Sequence, residues 1–365
     1  MKMPRIRRSN LPTALAILAV VVFCGCETAN RQTPEEPEVT PQMGEVAEPE
    51  PVPQQEPEPV IEEPKPSPPL VKREKPSLEL QAKGVGAKVS RFGEKFWRLE
   101  KDDTYLELEE ESRRAQLNGI AIYLSQPLKL SQGKWLLSKA DVDTVLRPAF
   151  LGVEGSVRSR LIVLDPGHGG LENGAKNVDL GLLEKNLNLE VCNRLRTHLE
   201  AAGFRVMLTR YDDRILSLAD RPEIANREGA GLFVSIHFNG SLNPDALGLE
   251  TYVVTPAGEA STADETPEGD VSPFPGNAFD DLNFALGMRI QRTMIEKMGR
   301  EDRGFRKARF GVLKRLECPG ALVECGFLTN AGEALLVGTP VYREKISQAI
   351  AEAIVSFMEE FPAES

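Results

Sequence analysis

The chain has 365 residues, enough for two domains together with non-globular segments. Its net charge of −11 and pI near 5.1 leave no basic surplus to neutralise phosphates, which argues against nucleic acid as the main partner. Hydrophobic residues make up 41% of the chain, a little low for a wholly globular protein, so part of it is expected not to fold.

Residues 1–26 read as an export signal. Lys2, Arg5, Arg7 and Arg8 form a basic head, and Leu11 to Phe23 form an apolar stretch too short for a comfortable transmembrane helix. The stretch ends in Phe23-Cys24-Gly25-Cys26, which resembles a bacterial lipobox with small Gly25 just before Cys26. That resemblance implies lipidation of Cys26 and a membrane anchor. Phe23 stands where a lipobox usually carries leucine, so a cleaved signal without lipid is the alternative. Glu27 is not the aspartate associated with inner-membrane retention, and which membrane is involved stays open. Residues 27–83 are rich in Pro and Glu, as in Glu48-Pro49-Glu50-Pro51 and Glu56-Pro57-Glu58-Pro59. Such a segment cannot bury enough apolar surface to offset its ordering entropy, and it predicts a disordered, semi-extended tether.

Residues 84–155 read as a small α+β module. Thr104 to Glu109 alternates polar and apolar residues, a half-exposed strand. Leu117-Asn118-Gly119-Ile120 is a hairpin signal, because Asn-Gly tolerates the positive φ of a type I′ turn. Ser138-Lys139-Ala140-Asp141 opens a helix expected to stop before Pro148. The run Leu117-Asn118-Gly119, Leu124, Pro127, Gly133-Lys134-Trp135-Leu136 resembles the small domain at the N-terminus of copper amine oxidases. The module holds no histidine or cysteine and is expected to bind or space rather than to catalyse. Trp97 and Trp135 are read as core, with sugar platforms the alternative.

From 160 to 362 strand and helix patterns alternate, the mark of an α/β domain. Leu161 to Leu164 is a buried strand that stops at Asp165-Pro166, followed by the turn Gly167-His168-Gly169-Gly170. Leu187, Val191, Leu195 and Leu199 recur every four residues on one helix face, which Gly203 ends. Phe204 to Leu208 is the next strand, and Ser217-Leu218-Ala219-Asp220 opens another helix. Leu232 to His237 and Leu249 to Val254 are further strands. Pro256 to Asn277 reads as a long loop whose prolines and glycines argue against a long helix, Asp281 to Lys297 as a helix, Ala321 to Glu324 as the last strand, and Val341 to Phe361 as a closing helix.

Three histidines occur, His168, His198 and His237, and any histidine-based metal site must draw on them. His168, His237 and Glu324 stand at strand ends and Glu184 at a helix start, places that converge in an open sheet. Two imidazoles and one carboxylate are the protein ligands of several catalytic zinc sites, and a second carboxylate then serves as base. On spacing alone this competes evenly with two satisfied loop histidines. Asp165-Pro166-Gly167-His168-Gly169-Gly170, Glu184-Lys185-Asn186-Leu187-Asn188-Leu189, Leu208-Thr209-Arg210, Val234 to Asn239, Gly248 to Tyr252 and Ala321 to Asn330 together resemble the zinc-dependent N-acetylmuramoyl-L-alanine amidases of the type 3 class, in order and over roughly 160–360. The resemblance implies a twisted mixed sheet flanked by helices. It implies hydrolysis of the peptidoglycan amide between the lactyl group of N-acetylmuramic acid and L-alanine. It also implies one zinc ion on His168, Glu184 and His237, with Glu324 as catalytic base.

Other residues carry paired readings. Asp165 either orients His168 through the second ring nitrogen or caps the turn. Glu250 and Asn239 are read as substrate contacts or supports of the site, with turn chemistry the alternative for Asn239. His198 is read as an ordinary boundary histidine. Cys318 and Cys325 bracket an extended segment that would hold them ~20 Å apart, so no disulfide is expected between them. Cys325 is a buried strand residue or a thiol near zinc. Besides peptidoglycan and a membrane reached through Cys26, the partners include an activator protein left open. The competing functions are a zinc hydrolase of another peptide and a non-catalytic peptidoglycan-binding lipoprotein. The expected place is the periplasm or cell envelope.

Overall fold

The structure is a computed structural model and describes residues 76–262 and 272–363. The export signal, Cys26 and nearly all of the tether, with part of the long loop, lie outside the described residues. No described helix is long and apolar enough to cross a membrane.

Helix α1 (Leu78–Gly84) is capped by Ser77 and precedes a five-stranded antiparallel meander. Its strands are β1 (Lys88–Phe92), β2 (Phe96–Lys101), β3 (Thr104–Glu109), β4 (Arg114–Leu117) and β5 (Ile120–Tyr123). Asn118 and Gly119 turn β4 into β5 with φ of 50° and 81°, the two positive values a type I′ turn requires. A hairpin of β6 (Lys129–Ser131) and β7 (Lys134–Leu136) leads to α2 (Lys139–Asp141), a π-helical turn (Val142–Leu146) and α3 (Arg147–Leu151). The helix expected to stop before Pro148 instead runs through it. The Arg147 N–H bonds back to the Val142 carbonyl, so the π-turn shifts the ladder, and Pro148 falls at the start of α3 where its missing N–H costs little.

The rest of the chain alternates. It comprises β8 (Leu161–Pro166), a short pair β9 (Lys176–Asn177) and β10 (Leu182–Leu183), α4 (Glu184–Ala201), β11 (Arg205–Leu208), α5 (Asp220–Arg227), β12 (Leu232–Asn239) and β13 (Leu249–Val254). A 3-10 turn (Pro275–Phe279) then leads to α6 (Asp280–Met298), β14 (Asp302–Ala308), α7 (Gly311–Lys314), β15 (Gly320–Phe327), α8 (Ala331–Val337) and α9 (Pro340–Glu360). Strand β14 was not expected from the sequence. Its Asp-Arg-Gly-Phe-Arg-Lys-Ala run shows no apolar alternation, because tertiary partners satisfy its charges.

Eleven strands form one mixed sheet in the order β1-β2-β3-β4-β5-β14-β13-β15-β12-β8-β11. Strands β11, β8, β12 and β15 run parallel, β13 is antiparallel to β15, and β14 is parallel to β13. The meander of the expected α+β module joins this sheet, since β5 pairs with β14 at Ile122 and Phe305. Lys307 on β14 is buried beside Asp141, with Nζ 3.3 Å from its carboxylate and 3.2 Å from the Ser125 hydroxyl. Residues 84–155 and the α/β region thus share a sheet and a core.

Alternation along each strand divides that core. Ile162, Leu164, Val234, Ile236 and Val323 face the long helices α4, α6 and α9. Leu161, Val163, Phe233 and Leu322 face the other way, under the short helices α5 and α7. Asp165, Ser235, His237 and Glu324 continue this second face toward the carboxyl ends of β8, β12 and β15.

At the start of α6, burial pushes the Asp280 carboxyl up to about 6, against the pull of the Asn277 side chain and Lys307. The folded chain then holds this proton to higher pH than the unfolded chain. Its contribution therefore favours folding most below about pH 4 and declines as pH rises to about 6. Asp280→Asn is expected to remove that decline and to raise stability at pH 7 by about 1 kcal/mol, the helix dipole offsetting part of the burial cost. Urea unfolding of both proteins at pH 4.5 and pH 7 measures the difference.

Candidate active site

Residues Phe233, Ser235 and His237 share one face of β12, and Leu322 and Glu324 share the same face of β15. His237 stands opposite Glu324 across that parallel pair, and Glu324 stands opposite Glu250 across β15 and β13. His168 arrives from the turn after β8, and Glu184 is the first residue of α4, where the helix dipole favours a carboxylate. The donor atoms of His168, Glu184 and His237 all lie within 4.8 Å of one another. Glu184 Oε1 is 3.2 Å from His168 Nε2 and 2.9 Å from His237 Nδ1. Ligand atoms around a tetrahedral ion with bonds of about 2.05 Å stand roughly 3.3 Å apart, close to the two spacings made by Glu184, so this donor set could hold a metal ion.

Burial alone would raise the Glu184 carboxyl, but the hydrogen bonds and charges of the two histidines more than reverse this and hold it far below the ordinary range. The backbone N–H of Ala175 donates to its Oε2 at 2.6 Å and that of Phe238 to Oε1 at 3.1 Å. These bonds fix the carboxylate from outside the cluster, as a metal ligand requires. Two glycines make the close approach possible. A Cβ on Gly167 would stand 2.3 Å from the His237 ring, and one on Gly174 would stand 2.3 Å from Glu184 Oε2.

The turn carrying His168 is clasped from below. His168 has φ of 60°, a left-handed conformation that costs a non-glycine residue energy. Arg221 donates to the carbonyls of Pro166 and His168, and Arg210 to those of Pro166 and Gly167. Asp165 was expected either to orient the His168 ring or to cap the turn. It does not reach the ring. Its oxygens accept from Arg221 at 2.8 Å, the Thr209 hydroxyl at 2.6 Å and the Ser235 hydroxyl at 2.7 Å. It points into the sheet face beneath the turn, because Asp165 follows Leu161 and Val163 in the alternation of β8.

Residues 162–356 match the family described as N-acetylmuramoyl-L-alanine amidase, a span of just over half the chain. The chain belongs to that family. Members of the N-acetylmuramoyl-L-alanine amidase family are peptidoglycan hydrolases, and this chain is an amidase of that class. The amidase AmiA of Escherichia coli (strain K12) is 34% identical over 224 residues, covering 55% of this chain and 77% of its own. LytC of Bacillus subtilis (strain 168) is 34% identical over 205 residues, covering 56% of this chain and 37% of its own. The solved structure of AmiC2 of Nostoc punctiforme is 33% identical, covers 55% of this chain and 99% of its own, and superposes with a TM-score of 0.46.

In the amidase, Glu324 is the second carboxylate beside the donor set. Burial, and then the charges of Glu184 and Glu250, push its carboxyl well above the ordinary range. Its Oε2 is out of solvent and, among the described residues, without a hydrogen-bond partner. Glu250 is buried and is held by Arg303 and by the Tyr252 hydroxyl. The Asn239 side-chain nitrogen stands 3.5 Å from Glu250, at the limit of a hydrogen bond, and its Oδ1 accepts from Gly240 N. His198 lies away from the site, with Nε2 2.9 Å from Glu344 on α9.

Cys192, Cys318 and Cys325 are buried free thiols. Cys325 faces the core on the opposite side of β15 from Glu324. The tryptophans Trp97 and Trp135 pack against the main core. Four arginines of the site's surroundings escaped the sequence reading as individual residues: Arg210, Arg221, Arg303 and Arg306. Arg210 sits in the Leu208-Thr209-Arg210 motif, which was a signal. The other three have none, because surface and buried arginines look alike in a sequence.

Proposed function

We propose that this protein hydrolyses the amide between the lactyl group of N-acetylmuramic acid and L-alanine in peptidoglycan, with one zinc ion held by His168, Glu184 and His237 and with Glu324 as general base. The observation that carries this reading is the convergence of three donors from β12, the turn after β8 and the start of α4 beside Glu324, whose Oε2 is buried and has no hydrogen-bond partner among the described residues. Bound there, zinc supplies a Lewis acid that polarises the amide carbonyl and brings the pKa of a water toward neutrality. The chain's own part is positional. Glu184 is locked by two backbone N–H groups, and the arginine clasp holds His168 in a strained backbone state it would otherwise leave. Glu324, one strand over from His237, takes the attacking water's proton and returns it to the leaving nitrogen. Its raised proton affinity suits both halves of that exchange.

The same proposal covers the parts outside the described residues. The basic head and apolar run export the chain, lipidated Cys26 anchors it in the cell envelope, and the Pro/Glu-rich tether lets the hydrolase reach the periplasmic wall. The test uses full-length protein. Zinc near one per chain, release from sacculi of peptides with a new amino-terminal L-alanine, loss of release on chelation and recovery on adding zinc are expected. Release of disaccharides instead, or release unaffected by chelation, would reject the proposal.

A further inference from the structure

Past the donor set, the same face of the sheet continues as a row of side chains. It runs from His237 and Glu324 through Glu250 to Arg303 and Arg306 on β14, and ends at Tyr123 on β5. Arg303 Nε donates to Glu250 Oε1. Arg306 Nε stands 3.8 Å from that oxygen and donates to the Arg303 carbonyl at 3.1 Å. One buried carboxylate therefore faces two guanidiniums. The Arg306 guanidinium lies 4.1 Å from the centre of the Tyr123 ring, and that of Arg303 lies 4.8 Å from the Phe327 ring. Stacking covers the flat faces and leaves the edges. Among the described residues, the terminal amino groups of both guanidiniums have no hydrogen-bond partner. The two side chains are 31% and 14% exposed, so both are partly reachable yet largely desolvated. A second anion placed there would form charge-assisted, forked hydrogen bonds in the setting where these are strongest.

The spacing selects the anion. Adjacent strands lie about 4.8 Å apart, so β14 stands roughly 10 Å from β15 and its Glu324. An extended peptide advances about 3.3–3.6 Å per residue. A carboxylate on the second residue of the peptide leaving group falls inside that span once the scissile amide is at Glu324. We propose that Arg303 and Arg306, walled by Tyr123, bind a carboxylate on the residue that follows L-alanine in the substrate. This rests on the amidase reading above. It gives the N-terminal strands a place in substrate recognition, because Tyr123 lies outside the span that matches the family. The simpler role, two arginines that only hold Glu250, predicts no preference between charged and neutral substrates.

The test compares a pair of N-acetylmuramoyl dipeptides on the full-length protein, one with a free α-carboxylate on the second residue and one with the carboxamide. The unaltered protein is expected to favour the carboxylate in kcat/KM by at least about tenfold, mainly through KM. Arg306→Gln should bring that ratio to near one, and Arg306→Lys should keep part of it, with thermal melts confirming that both fold. Equal rates on the two substrates, or a loss in Arg306→Gln that is equal on both, overturn the subsite while leaving the amidase reading intact. Hydrolysis of neither substrate, with sacculi also untouched, overturns the amidase reading itself.

Discussion

Glu324→Gln is expected to lower peptide release by at least about a thousandfold while zinc content stays unchanged. The three donors are His168, Glu184 and His237, and glutamine at 324 removes none of them. What it removes is the carboxylate proposed to accept and return the proton. The same substitution is expected to stabilise the fold. Glu324 Oε2 is buried without a donor among the described residues, and burial and the charges of Glu184 and Glu250 oppose its ionisation. A neutral amide escapes that repulsion, so a gain of about 1 kcal/mol is expected, as at sites where function is held at a cost in stability. Metal analysis, a sacculus assay and a denaturant melt on one preparation decide the matter. Retained activity would remove Glu324 from the mechanism, and lost zinc would make it a ligand.

Arg221→Met is expected to cost about 3–5 kcal/mol of stability, the usual result of removing one partner from a buried ion pair. Arg221 and Asp165 are 3% and 0% exposed and 2.8 Å apart. Without the guanidinium, Asp165 keeps only two hydroxyl donors, and the carbonyl of His168 loses its Arg221 bond. The strained turn is then free to relax, so zinc affinity should fall along with the melting point. Asp165→Leu combined with Arg221→Met removes both charges and should recover much of the stability but not the zinc affinity. Calorimetry and zinc titration on the single and double variants separate the two effects. Equal zinc affinity in all three proteins would mean that the clasp does not position His168.

The site was legible in the sequence wherever a chemically distinctive residue coincided with an element boundary. His168 follows an Asp-Pro break and lies between glycines, His237 ends an apolar run, and Glu324 ends another, so each could be placed at a strand end before any contact was known. Four-residue spacing likewise marked the face of α4, and all of Leu187, Val191, Leu195 and Leu199 are buried there. Strand β14 was not legible. Its core-facing residues are only Phe305 and neighbours paired through charge, and hydrophobic alternation is the signal by which strands are read. Asp165 was read by proximity to His168 in sequence, yet period-two alternation sends it beneath the sheet face toward Arg221.

The sequence by itself determined the chemistry on offer: three histidines in all, two of them at strand ends, with acids at the start of one helix and the end of one strand. It determined the local elements too, because periodicity, caps and turn residues act within a few positions of each other. Only the tertiary structure decided which groups meet. The pairing of β12 with β15 sets His237 opposite Glu324, the antiparallel return of β13 adds Glu250, and the docking of β5 on β14 brings Tyr123 onto Arg306. Strand order and register arise from burying one common core, a property of the whole chain that no short stretch encodes.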